Sequence, residues 1–243
     1  MITIYLKELT QYFSSLIAYI VLGIFFVFMG LVLWAFPQTS ILDSNYANMN
    51  AFFNMAPTIF TFVIPAITMH SFSEEKLQGT IEMLVTKPIK TWHILGGKYL
   101  ASLTLILFAL IPTVIYYITI YQLGLPIGNI DTGSIIGSYI GLILLASAFV
   151  SIGIFASSLS SSQVIAFVIA SFICFFFHWG FEYMSQRPEF IGVYDDIIQR
   201  LGMNYHYLSL SRGLIDTRDV IYFLSLNVLF STLSYFSLIK TRK

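Results

Sequence analysis

Charge is what this sequence holds least of. Twelve Lys and Arg and twelve Asp and Glu make up 10% of its 243 residues, where a soluble domain carries roughly 25%. Apolar residues reach 57% and mean hydropathy is +0.82. The shortage therefore excludes a water-soluble globule and points to an integral membrane protein. The opposite charges cancel, which argues against a nucleic-acid partner. Cysteine is nearly missing as well. Cys174 stands alone inside an apolar run, cannot form an internal disulfide, and reads as a small core residue.

Catalytic signals are equally scarce. No G-x-x-x-x-G-K-[ST] phosphate loop occurs. The run Gly96-Gly97-Lys98-Tyr99 lacks the upstream glycine and the following Ser or Thr, and reads as a helix starting close to the membrane surface. The chain cannot hydrolyse ATP alone, and no cofactor of its own is expected. Ser157, Ser158, Ser160, Ser161 and Ser162 form a polar turn rather than a strained nucleophile elbow. His178 and Glu182 stand one helical turn apart. Two ligands without a third make a weak metal site, so a hydrogen-bonded pair at the membrane surface is preferred and no metal is expected.

What is present is apolar length. Six stretches, about 15–36, 51–70, 99–121, 134–156, 163–184 and 219–239, meet the roughly 20 residues that a crossing helix needs. Each is continuously apolar rather than alternating, which favours helices over barrel strands. The expected fold is an all-α bundle of six transmembrane helices in a single domain, 1–243. The first run is too long for a signal-peptide core and is read as a retained span. Ionisable side chains hardly enter these stretches; Glu182 and Asp219 lie near outer ends and His70 at an inner one. That counts against ion-coupled transport and against a charged pore.

Lysine sets the orientation. Lys7, Lys76, Lys87, Lys90, Lys98, Lys240, Arg242 and Lys243 flank one side, while loops 37–50 and 122–133 hold neither Lys nor Arg. The positive-inside rule places both termini and the 71–98 loop in the cytoplasm. Arg187, Arg200, Arg212 and Arg218 oppose this mildly from the long 185–218 segment, offset by five nearby acids. Residues 1–13 form a separate element. Ile2, Tyr5, Leu6, Leu9, Tyr12 and Phe13 recur at helical spacing while Lys7, Glu8, Thr10 and Gln11 face away. This predicts an amphipathic helix in the cytoplasmic interface; a plain extension of the first span is the other reading.

One compact stretch breaks the apolar pattern. Residues 73–98, SEEKLQGTIEMLVTKPIKTWHILGGK, hold four of the seven lysines and three glutamates. Thr80 is a good N-cap after flexible Gly79, and Glu82 falls in the first turn, where the helix dipole favours an acid. Ile81, Leu84 and Val85 share a face, and Pro88 forbids continuation. A helix of about two turns results, too short to stay folded alone. It must rest on the membrane, on neighbouring spans or on a partner.

The pattern Glu75-x-x-x-Gly79-Thr80-x-Glu82-x-Leu84, followed by Pro88-Ile89 and Gly97-Lys98, resembles the coupling-helix signature of ABC-2-type permeases. The resemblance implies that Glu75, Gly79, Thr80, Glu82, Leu84 and Pro88 dock into a cleft of a separate ABC ATPase. The turn SSLSSSQVIA resembles the family's second cytoplasmic loop, which puts Ser160, Ser161 and Ser162 toward the same partner. The tail SRGLIDTRDVIYFLSLNVLFSTLSYF resembles the last outer loop and sixth span, and the N-terminal helix matches an interfacial connecting helix. The likeness covers nearly the whole chain. It lies nearest the gliding-motility-associated (GldF-type) permeases, with copper-enzyme-maturation (NosY-type) permeases next. It implies a non-catalytic permease subunit of the bacterial inner membrane. Its partners would be two copies of an ATPase that uses ATP and Mg, and a second permease chain, alike or different.

Smaller features carry expectations too. Gly133, Gly137 and Gly141 stand four apart and permit close helix approach, either within the bundle or at a subunit interface. Pro65 and Pro112 predict kinks. Segment 185–218 is too long for a plain connection. Phe190, Ile191, Val193, Tyr194, Ile197, Ile198 and Leu201 look able to bury themselves, as a re-entrant-like cap over the outer mouth. The rival functions are a structural assembly component without a transported solute, an intramembrane enzyme using His178, Glu182 or His206, and a passive channel. The cargo is not legible.

Overall fold

The computed structural model describes residues 1–37, 39–41, 46–80, 90–190, 192, 194–213 and 215–241, and among them regular structure is helical, with no strand. Among the described residues, five helical runs are long and apolar enough to cross a bilayer: Asn50–Leu77, Thr91–Leu123, Thr132–Leu159, Gln163–Ser185 and Thr217–Lys240. The sixth candidate is a bent pair, Ile2–Ser14 and Ala18–Trp34, whose arms meet at 66°. The second arm, Leu16–Trp34, has 19 residues, or roughly 28 Å of helix. It nearly matches the hydrocarbon thickness alone, which leaves Ile2–Ser14 free to lie against the bundle.

Two boundaries differ from the sequence reading. The second span runs to Leu77 and the third begins at Thr91. Charged side chains end an apolar run without ending a helix. What ends the second helix is Gly79, whose φ of +68 places it in the left-handed region that a side chain rarely adopts. Its amide donates back to the Lys76 carbonyl at 3.2 Å. Pro112 falls in a 3-10 turn, Ile111–Thr113, that divides the third span, while the helix continues through Pro65.

Thr132–Leu159 is the centre of the bundle. The last helix, the second span, Gln163–Phe175 and Met203–Ser211 all pack on it. Small residues allow this. A Cβ on Gly153 would lie 1.9 Å from Thr68 Oγ1, and one on Gly137 would lie 2.8 Å from the Leu210 carbonyl oxygen and the Gly213 Cα. Gly141 faces the Leu210 side chain in the same seam, while Gly133 at the helix start meets only Asp131. Gly153 was not among the glycines singled out from sequence, because it has no glycine neighbour at four-residue spacing.

Segment 185–218 folds as two short helices, Asp195–Gln199 and Met203–Ser211. Its anchors are not those expected. Tyr194, Ile197 and Leu201 are more than half exposed, whereas Met203, Tyr207 and Leu210 are buried. Ile191 and Val193 lie outside the described residues. The Tyr207 hydroxyl donates to the Phe53 carbonyl at 2.7 Å, which ties the segment to the start of the second span. Polar anchoring thus fixes a stretch whose hydropathy alone misplaces the buried positions.

Candidate functional site

The N-terminal helix lies along the start of the third span, and two glycines make room for it. Cβ atoms on Gly96 and Gly97 would each lie 3.0 Å from side-chain carbons of Met1 and Ile4 respectively. Further along, Tyr12 shares a 2.9 Å hydrogen bond with Ser102, and Tyr5 a 3.2 Å bond with Thr104. The Gly-Gly-Lys run is therefore a seat for this helix.

Lys98 follows the glycine pair, and it is not a loop cation. It is 2% exposed. Its Nζ donates to Glu8 Oε1 at 2.8 Å, to Glu75 Oε1 at 3.0 Å and to the Ser71 carbonyl at 2.6 Å. All three ammonium protons are thereby used, and the Phe72 ring lies 5.0 Å from the nitrogen. Lys7, on the surface, adds a 3.7 Å contact to Glu75. One buried cation joins the N-terminal helix, the third span and the end of the second.

This corrects the sequence reading of the N-terminal helix. Glu8 was placed on the outward face, yet it is 5% exposed, while Ile2 at 75% and Leu6 at 53% point away from the protein. The rest of the expected pattern holds, with Tyr12 buried and Lys7, Thr10 and Gln11 exposed. Lys98, inside the third helix, supplies the reason that Glu8 turns inward, since a buried ammonium requires acids.

A second set of contacts ties in the polar turn. The Ser157 hydroxyl accepts from the Phe72 and Ser73 amides at 2.9 and 3.1 Å and donates to the Met69 carbonyl at 2.9 Å. The ammonium of Lys76 and the hydroxyl of Ser237 both donate to the Ser158 carbonyl. Of the loop residues named from sequence, Ser160 accepts from the Ser162 amide at 3.0 Å, and Ser161 is exposed. The side chain that binds across elements is Ser157. Its signal was the join of small residues and apolar helix, which sequence cannot distinguish from a loop edge.

Of the six residues assigned to coupling, Glu75, Gly79 and Thr80 are described, and Glu82, Leu84 and Pro88 lie outside the described residues. The Thr80 hydroxyl donates to the Glu75 carbonyl at 3.3 Å, closing the end of the preceding helix. Beside this junction a cleft of about 500 Å³ is lined by Glu8, Tyr12, Glu75, Thr80 and Lys98 among others.

The opposite end carries its own polar groups. His206 Nδ1 lies 2.7 Å from Asp219 Oδ1 and Nε2 2.9 Å from the Arg200 carbonyl. The ring stacks on Tyr222 with centroids 3.9 Å apart. Glu182 accepts from Asn204 Nδ2 at 2.6 Å, and so is not the partner of His178, as expected from their spacing. His178 is buried against Phe149 and Trp179. Among the described residues, no cluster of three His, Cys, Asp or Glu side chains could hold a metal ion.

These features define a multi-pass helical membrane protein with a buried lysine junction at one end and a second polar cluster at the other. The chain belongs to the ABC-2 transporter family, whose model, described as "ABC-2 family transporter protein", matches residues 2–242; it is a permease subunit. A stretch of 110 residues is 30% identical to the "Probable multidrug ABC transporter permease YbhR" of Escherichia coli K12, and equally to its counterpart in strain O157:H7. That stretch is 45% of this chain and 28% of the length of those relatives. Permeases of this family are membrane subunits without catalytic activity of their own and work with ABC ATPases.

Proposed function

We propose that the chain transmits the work of a separate ABC ATPase to the membrane through residues 75–88, with Ser160, Ser161 and Ser162 as a second contact. The single observation that carries this is the Lys98 junction. Glu75, at the root of the charged segment, is bound to the same buried ammonium as the N-terminal helix. A load applied at this segment reaches the second span, the third span and the N-terminal helix together.

In this reading two ATPase copies bind ATP and Mg, and a second permease chain, alike or different, completes the complex. Both termini face the cytoplasm of a bacterial inner membrane. The resemblance to gliding-motility-associated permeases implies membrane work in gliding motility, with copper-enzyme maturation as the alternative and an assembly role without solute as a third. The name of the Escherichia coli relatives adds multidrug export to the substrates worth testing.

The test is co-expression with the ATPase encoded nearest this chain's gene. Glu82→Lys should leave the chain inserted at wild-type level but remove ATPase capture and permease-dependent ATP hydrolysis. Glu82 is preferred to Glu75 for this purpose, because Glu75 also holds Lys98. Unchanged capture and hydrolysis in that variant would overturn the assignment.

A further inference from the structure

We propose that His206 is a proton-operated latch, which holds a cap of residues 194–206 shut on the last helix and releases it as pH rises. The cap bridges two spans at the end opposite Lys98. Asn204 donates to Glu182, near the end of Gln163–Ser185, at 2.6 Å. On the last helix, the Tyr222 hydroxyl donates to the Leu201 carbonyl at 2.6 Å, and Asp219 meets His206 at 2.7 Å. Beneath the cap is a pocket of about 90 Å³, a space that admits water. Gln199, Gly202, Asn204 and Tyr205 of the cap wall it on one side, and His178 and Glu182 on the other. Whatever loosens the cap opens that pocket.

The His206 ring faces acceptors at both nitrogens. Nε2 lies 2.9 Å from the Arg200 carbonyl, which only accepts, so this nitrogen carries a proton. Nδ1 lies 2.7 Å from Asp219 Oδ1, and so close an approach requires a proton in the gap. Against an ionised carboxylate, that makes the ring an imidazolium. Two further contacts favour this form. Asp219 is 5% exposed, and its Oδ2 has no partner among the described residues, so the charge on His206 is what offsets a buried carboxylate. Tyr222 stacks on the ring with 21° between the planes, where a cation gains from the aromatic face. Among the described residues, the neighbouring ionisable groups have other partners. Tyr205 meets the ring edge-on, the Arg200 guanidinium is bound to Asp196, and Asp216 accepts from the Arg218 amide. From Gln163–Ser185, Glu182 is bound to Asn204 and His178 packs on Tyr207. The central helix presents Ser134 and Ser138, both donating to the Ser211 carbonyl. Removing the shared proton leaves two lone pairs facing each other and a buried charge without a counter-ion. The latch is therefore closed at low pH and opens as pH rises through the titration of the pair.

This inference goes beyond the ATPase reading and does not depend on it, since its readout involves no nucleotide. The full chain in nanodiscs is compared at about pH 5 and about pH 9, on either side of the range in which histidine changes charge. Hydrogen exchange by mass spectrometry follows a peptide covering residues 196–206, with times scaled for the intrinsic pH dependence of exchange. After scaling, the wild-type cap should exchange about tenfold faster at the higher pH, the factor expected of one hydrogen bond to a charged group. Residues 142–158 of the central helix should keep their protection. His206→Ala should show the faster rate at both pH values. Asp219→Asn supplies an amide that donates to the neutral ring or accepts from the charged one, and should show the slower rate at both. Equal protection of the wild-type cap at the two pH values would overturn the proposal. So would a pH difference that survives in either variant, or an equal loss over residues 142–158, which would mark loosening of the whole bundle.

Discussion

Lys98 and Glu8 are ninety positions apart in the chain and 2.8 Å apart in space. The contact is buried at both ends, with side-chain exposures of 2% and 7%. An ion pair in that setting gains little over an apolar pair of the same shape, but losing one member strands a charge. The junction therefore matters most for what its removal leaves behind.

Lys98→Met should destabilise the protein by about 3–5 kcal/mol, because Glu8 and Glu75 lose their buried cation and keep only the exposed Lys7 nearby. Combining it with Glu8→Gln should recover much of the loss. Thermal unfolding in detergent, followed by tryptophan fluorescence, measures both. A single variant as stable as the wild type would refute the junction.

Gly153→Ala should cost about 1–3 kcal/mol, the usual penalty for an added methyl in a tight contact. The new carbon would collide with Thr68 Oγ1, and Thr68→Ala should relieve part of the clash. Gly30→Ala is the control. Nothing lies within 4 Å of a Cβ there, so that variant should be neutral or slightly stabilising through helix propensity. Detergent melting curves of the four proteins distinguish these outcomes.

Ser157→Ala should remove the shared acceptor of the Phe72 and Ser73 amides, at a cost of about 1–3 kcal/mol for buried groups left unpaired. Hydrogen exchange by mass spectrometry should show faster exchange in a peptide covering residues 70–77. Ser161→Ala, at an exposed position, should leave exchange there unchanged.

His206→Ala should loosen the cap at the other end. Asp219, 5% exposed, would lose its partner at 2.7 Å, and the Arg200 carbonyl would lose a donor. A cost of about 1–3 kcal/mol follows from the unpaired groups. Limited proteolysis should then cut more readily between residues 186 and 202, while the six apolar helices stay inserted.

Apolar length made the helical spans legible, because about twenty consecutive apolar residues admit few other readings in a chain this poor in charge. The polar contacts between them were not legible. Lys98 reads as a surface lysine until Glu8 and Glu75 are brought to it, and those meetings depend on how three helices pack. Glu8 falls on the outward face by helical spacing, and only the buried ammonium of Lys98, ninety residues away, draws it inward. Tyr207 and Leu210 were overlooked for Tyr194, Ile197 and Leu201 because hydropathy is similar in both groups. Among the residues of the charged segment, Glu75 and Thr80 have described contacts to this chain's own helices.

The second span gives these contacts their reach. Its two consecutive helices, Asn50–Thr68 and His70–Leu77, together cover 28 residues, roughly 42 Å, against a hydrocarbon slab of about 30 Å. Upright in the bilayer the span leaves some two turns clear of the lipid, with Gly79 at the tip and Lys98 bonded to Ser71 and Glu75 along it. In the coupling proposed above, such a part would act as a crank: a sideways load on its free end would turn the buried portion about Lys98, and Gly153 against Thr68 is where that portion meets the central helix.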